Sequence, residues 1–147
     1  MSDTTSTYAT VSLEELLTNL VPSDLKKGRP YVISCSEKLE KRLESNRIFK
    51  GITGTAGGFY GPQGRVLRAP LSQDQLINQL TTFKHQEHFV SNFEMETSAL
   101  YGLGKLLNHQ CLTACVIIAN RVRKEFTSNY AKSVEILIQE SLQRLTS

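Results

Sequence analysis

The chain has 147 residues, is 39% hydrophobic and 21% charged, and carries a formal charge of +3. That length suits one domain able to bury a core, and the composition is that of an ordinary globular protein. The charge is too small, and its Lys and Arg too scattered, for a nucleic-acid partner. The longest mostly apolar run, Cys111 to Ala119, is too short to cross a bilayer. Cys35, Cys111 and Cys115 form no CxxC pair, so neither a disulfide framework nor a zinc site is expected. His85 and His88 flank Glu87 without a third ligand at a convincing spacing, and no metal is expected there.

Met1 to Thr10 is rich in Ser and Thr, and lacks the basic-then-apolar pattern of an export signal. It reads as a loose tail on a cytoplasmic protein. Ser12-Leu13-Glu14-Glu15 is a capping box, and Leu13, Leu16, Leu17 and Leu20 make one apolar stripe, which predicts a helix over 12–20. Pro22, Gly28 and Pro30 mark a connector. Residues 1–30 are therefore expected to be tail, short helix and connector, with the main domain over 31–147.

Tyr31-Val32-Ile33 looks extended, and Ser34-Cys35-Ser36-Glu37 repeats the capping pattern ahead of a helix to about Glu44. Ile48 to Thr55 reads as a strand. Ala56 to Pro70 holds four glycines and two prolines, too many for regular structure. Ser72 opens another helix, with Leu76, Ile77, Leu80 and Phe83 facing inward, and Phe89 to Phe93 forms a short strand. Ala99, Leu100, Leu103, Leu106 and Leu107 have the spacing of an amphipathic helix. Cys111 to Asn120 is a β-branched apolar run, expected as a strand buried on both faces. A last helix uses Tyr130, Val134, Leu137, Ile138 and Leu145. Strands alternating with helices predict an α/β mixed sheet flanked by helices.

Ligands of open α/β sheets gather beyond the carboxyl ends of the strands. Three segments are expected there. Asn92-Phe93-Glu94-Met95-Glu96 places carboxylates at i and i+2, which share a face of extended backbone and suit the vicinal hydroxyls of a sugar. The same pair also suits a plain acidic first turn of a helix. The loop from Thr53 to Arg65 is neither a P-loop nor GxGxxG, and a flexible surface loop fits it equally. Within it Gln63 and Arg65 present an amide beside a fixed cation, and Phe59 offers an aromatic face. That set suits a flat heterocycle with alternating carbonyl and N–H groups. Ala119-Asn120-Arg121 is the third segment. Together they make the equipment of a nucleoside pocket.

In order and spacing these segments resemble the uridine phosphorylase branch of the nucleoside phosphorylase family. Gly51-Ile52-Thr53 through Phe59-Tyr60-Gly61-Pro62-Gln63-Gly64-Arg65 resembles its base-binding segment. Asn92-Phe93-Glu94-Met95-Glu96 resembles its ribose-binding segment, and Ile117-Ile118-Ala119-Asn120-Arg121 its later base-side strand. The likeness runs from about Ile48 to the end. It implies phosphorolysis of a nucleoside by orthophosphate, with no metal or organic cofactor. By that pattern Gln63 and Arg65 recognise the pyrimidine edge while Phe59 packs on the base. Met95 lies under the sugar, Glu96 holds its hydroxyls with help from Glu94, and Ile118 and Arg121 flank the base, Arg121 steadying Gln63 and Arg65. Arg65 and Glu96 are the residues that carry catalysis. Asn120 stands where purine-cleaving relatives carry an aspartate, which points to uridine.

The family's glycine-rich, arginine-bearing phosphate loop has no counterpart in residues 1–30, which offer only Gly28 and Arg29. The resemblance therefore implies the C-terminal half of the family fold, completed by a homo-oligomer or by a complementing N-terminal half. The alternative is a non-catalytic remnant that binds nucleosides or associates with subunits.

Overall fold

A computed structural model of the chain describes residues 31–71, 74–85 and 87–147. The expected tail, helix over 12–20 and connector lie outside these residues, as do Ser72 and Gln73. In chain order the elements are α1 (Glu37–Leu43), β1 (Ile52–Thr55), a 3₁₀ turn (Gly61–Gln63), α2 (Leu76–Thr82), β2 (Lys84–His85), β3 (His88–Glu94), α3 (Thr97–Leu106), β4 (Ala119–Asn120), β5 (Glu125–Phe126) and α4 (Tyr130–Thr146). The class is α/β with a mixed sheet, as the alternating patterns predict. The described residues divide into two units, 31–34 with those of Lys50–Leu103, and Cys35–Phe49 with Gly104–Ser147.

The first unit is built on a three-stranded sheet in the order β1-β3-β2. β2 and β3 pair antiparallel across a tight turn, Lys84 against Phe89 and His85 against His88. β1 pairs parallel to β3, Thr53 opposite Asn92 and Thr55 opposite Glu94, with an irregularity between Ile52 and Thr53. A parallel pair needs a long crossover, and the glycine-rich loop and α2 provide it. α2 packs on β3, and Phe83 at its end is buried. The strand read from Ile48 begins only at Ile52, because residues 45–48 are drawn into a turn: Ser45 Oγ accepts from Arg47 N–H at 3.2 Å and Ser45 O from Ile48 N–H at 3.3 Å.

Parallel pairing brings the carboxyl ends of β1 and β3 side by side. The loop leaving β1 returns through the 3₁₀ turn, which Gly64 closes at φ 74° with its N–H on Gly61 O at 2.8 Å. A Cβ on Gly64 would stand 2.5 Å from Ile77 Cγ1 of α2. Both the left-handed backbone and the space therefore require glycine at this position.

In the second unit α1 packs on α4 and buries Leu43. The helix cap is Ser36, whose Oγ accepts from Leu39 N–H at 3.2 Å, and not the Ser34 that the capping pattern suggested. Two tertiary bonds explain the shift: Ser36 N–H donates to Cys111 O at 2.8 Å, and its hydroxyl meets Gln110 Oε1. Arg144 Nη1 donates to Glu44 O at 3.0 Å, and Arg47 pairs with Glu140. The Arg47 side chain is 61% exposed, so that ion pair contributes little. α3 ends in a Schellman motif: Asn108 takes the left-handed position at φ 58°, His109 N–H reaches Gly104 O at 2.7 Å, and Asn108 N–H reaches Lys105 O. Gly104 admits Cys111, whose Sγ would lie 2.3 Å from an added Cβ.

The apolar run Cys111 to Asn120 departs most from its expected form. Regular strand is confined to Ala119–Asn120, antiparallel to Glu125–Phe126, and Ile117 and Ile118 are 51% and 46% exposed. A run of branched apolar side chains becomes a doubly buried strand only where layers cover both faces, and these isoleucines are not so covered. Leu100, Leu103, Leu106 and Leu107 of α3 and its C-cap are exposed likewise. Among the described residues only Leu43 and Phe83 are buried apolar side chains. No described helix is long and apolar enough to cross a membrane.

Replacing Gly64 by Ala is expected to destabilise the fold by about 1–2 kcal/mol from the left-handed backbone alone, and further through the clash with Ile77. The same change at Gly57, where a Cβ meets nothing within 4 Å, serves as the control. Urea denaturation midpoints measure both, and equal midpoints would refute the role given to Gly64.

Candidate nucleoside site

The expected base-side residues form one hydrogen-bonded knot in the first unit. Gln63 and Arg65 both return to Tyr60, their N–H groups donating to Tyr60 O at 3.0 and 2.9 Å. Arg65 Nη1 donates to Gln63 Oε1 at 3.0 Å and also meets Phe59 O. The guanidinium carbon lies 3.7 Å from the centroid of the Phe59 ring, a cation–π stack. Tyr60 meets Phe59 edge-on at 5.2 Å between ring centroids. Gln63 is 3% exposed while Phe59 is 51% exposed. The amide is thus fixed with its oxygen towards Arg65, which turns its NH₂ away from the guanidinium as a donor. One face of Phe59 is covered by the guanidinium and is not open to a ring.

Glu94, Met95 and Glu96 sit at the junction of β3 and α3. The shared face expected for Glu94 and Glu96 required extended backbone through both. The strand ends at Glu94 and the chain bends at residues 95 and 96, so the period-two geometry stops there. The Glu94 carboxylate turns back on the start of α3. Its Oε2 accepts from the N–H groups of Glu96 and Thr97, both at 2.7 Å, and its Oε1 accepts from Thr55 Oγ1 at 2.5 Å. Thr55 Oγ1 in turn accepts from Ser98 N–H at 3.0 Å. Three of the four amides left without partners at a helix start are so satisfied. Burial disfavours the charge of Glu94 and is the largest single influence. Hydrogen bonds from Thr55, the Glu96 amide, and the side chain and amide of Thr97 together outweigh it and hold the carboxyl below its usual range. Glu96 and Met95 are exposed, and no hydrogen bond to the Glu96 carboxylate is found among the described residues.

Earlier in β3, Thr53 Oγ1 donates to Asn92 Oδ1 at 2.9 Å, a cross-strand bond two pairs back from the junction. Ile118 and Arg121 belong to the second unit. Ile118 O accepts from Thr127 N–H at 2.8 Å beside the β4–β5 hairpin, whose turn is fixed by Arg123 N–H donating to Asn120 Oδ1 at 3.1 Å. Arg121 is half-buried at the start of that turn. Among the described residues no three His, Cys, Asp or Glu side chains group to hold a metal. Thr55 is the residue that sequence reasoning passed over. Its only signal is a hydroxyl on the last residue of a strand.

The model of the phosphorylase superfamily matches residues 12–147, and the chain belongs to that superfamily. Over 102 residues it is 32% identical to a uridine phosphorylase of Thermococcus kodakarensis, covering 67% of this chain and 35% of that protein. Its fold matches a solved nucleoside phosphorylase of Trypanosoma brucei, described as showing uridine phosphorylase activity, at a TM-score of 0.80 and 23% identity. That match covers 99% of this chain and 54% of the solved one. The chain thus spans about a third of the first relative and about half of the second.

Because the Glu94 carboxyl is held below its usual range, its contribution to stability is complete above that range. It is lost as pH falls through the lowered value. Glu94→Gln is expected to cost about 1–3 kcal/mol at neutral pH, the range for a lost charged hydrogen bond. It should also flatten the acid limb of the stability curve, measured by denaturation across pH. An unchanged acid limb would refute the assignment.

Proposed function

We propose that this chain carries the nucleoside-recognition side of a uridine-phosphorylase-type pentosyltransferase, working in the cytoplasm in pyrimidine salvage. The observation that carries the reading is the fixed Gln63–Arg65 pair, an amide donor beside a guanidinium, within a chain of this superfamily. The amide and the guanidinium match the carbonyl and imide edge of uracil. Glu96, exposed at the start of α3, accepts from the ribose hydroxyls, with Met95 beneath the sugar. Ile118 and Arg121, which belong to the second unit, are assigned to the base by the family pattern. The Thermococcus and Trypanosoma relatives, both named for activity on nucleosides, support the reading.

In the reaction, a phosphate oxygen attacks C1′ of the ribose and the C1′–N1 bond breaks. The electron pair leaves on the base, which takes up a proton as free uracil, and ribose 1-phosphate is the other product. No metal or organic cofactor takes part. Positive charge develops on the ribose near Glu96, and negative charge on the uracil near Arg65, so each residue stabilises the transition state more than the ground state. The phosphate site is supplied by the remainder of the superfamily fold, in a complementing polypeptide or an oligomer. The exposed leucines of α3 are the kind of face such a remainder would cover.

The purified chain, alone and mixed with a polypeptide bearing the rest of the fold, is incubated with uridine and phosphate. Uracil is expected in the mixed sample, and its absence there argues against the proposal. Uridine binding without turnover in every sample would favour a non-catalytic nucleoside-binding chain instead. Glu96→Ala should abolish binding of uridine. Arg65→Ala should weaken it by about 1–3 kcal/mol, the cost of an unmatched buried partner, and an unchanged affinity would refute the role of Arg65.

A further inference from the structure

Thr55 ends β1 directly opposite Glu94 of β3. Its single hydroxyl proton goes to Glu94 Oε1 and one of its lone pairs to Ser98 N–H. Glu94 Oε2 holds the amides of Glu96 and Thr97. The backbone of Glu96 is therefore fixed on both sides of its Cα, and its own carbonyl accepts from Leu100 N–H at 3.0 Å. Only its side chain is left exposed. Glu94 stands differently: a sugar hydroxyl could reach its carboxylate only by competing with bonds that close a helix start.

We propose that Thr55 is a positioning residue, which together with Glu94 braces the turn from which Glu96 receives the ribose. On this view the paired glutamates are not two equivalent acceptors. One contacts the sugar, and the other belongs to a brace whose second member is a hydroxyl from the neighbouring strand. The proposal deepens the nucleoside reading above and rests on it. Its specificity is for the sugar: the bonds of the brace run from Thr55 and Glu94 to the first amides of α3, beside Glu96, so base recognition should be indifferent to Thr55.

The test is calorimetric titration of the full chain with uridine and, separately, with uracil. Thr55→Val, which keeps the shape and removes the hydroxyl, should weaken uridine binding about tenfold, the effect of losing one well-placed polar interaction, and leave uracil unchanged. Thr55→Ser should restore uridine affinity. Should Thr55→Val fail to fold, Glu94→Gln must show the same uridine-only loss. Equal uridine affinity in Thr55→Val and the parent, or parallel losses for uridine and uracil, overturns the proposal and leaves the nucleoside reading standing. A parent chain that binds no uridine removes both.

Discussion

The bond between the Thr55 hydroxyl and the Glu94 carboxylate is the interaction on which the carboxyl end of the β1–β3 pair depends. It ties the last residues of two parallel strands and, through them, the first amides of α3. A helix start is a cluster of unmatched donors. Here a half-buried acid answers them, and those amides together with the Thr55 and Thr97 side chains keep that acid ionised against its own desolvation. The strand pairing positions the brace, the brace positions the helix, and the helix start presents Glu96. Each step is a short-range contact, yet the result spans elements far apart in sequence.

Much of this could be read from the residues. The helices were legible because apolar side chains at three- and four-residue spacing leave few alternatives: α3 and α4 fall where the pattern put them, while α2 begins at Leu76, after Asp74 and Gln75 in a turn. β3 was legible as the short stretch Phe89 to Phe93 and extends one residue beyond it at each end. The apolar run before Arg121 was not, because branched apolar composition speaks for burial without saying what does the burying. Ser36 displaced Ser34 as a cap because Cys111 and Gln110, distant in sequence, hold it in place. At the site, composition picked out Gln63, Arg65, Glu94 and Glu96 as neighbours of a ligand. It could not say that Arg65 would stack on Phe59, or that Glu94 would turn inwards, since both follow from bends in the backbone after β1 and β3. The roles of these residues towards a ligand remain proposals, carried by chemistry and by membership of the superfamily.

The two halves of the proposed nucleoside site are held by different physics. On the base side, order comes from a local knot in which an arginine is held by an aromatic ring, a carbonyl and an amide within a few residues. On the sugar side, order is imported from a neighbouring strand. Local order is robust to changes elsewhere in the fold, and imported order is not. The base-side loop is accordingly the more self-sufficient of the two.

The parallel pairing of β1 with β3 also governs the order in which the chain becomes competent. β2 and β3 are joined by a tight turn, and such hairpins close within microseconds. Thr55 and Glu94 lie 39 residues apart, so their meeting must first pay the entropy of closing a long loop. The hairpin and the helices are therefore expected to precede it, with the strand-end brace among the last contacts made. Folding intermediates of this chain would thus carry most of its secondary structure while still lacking an ordered turn between β3 and α3.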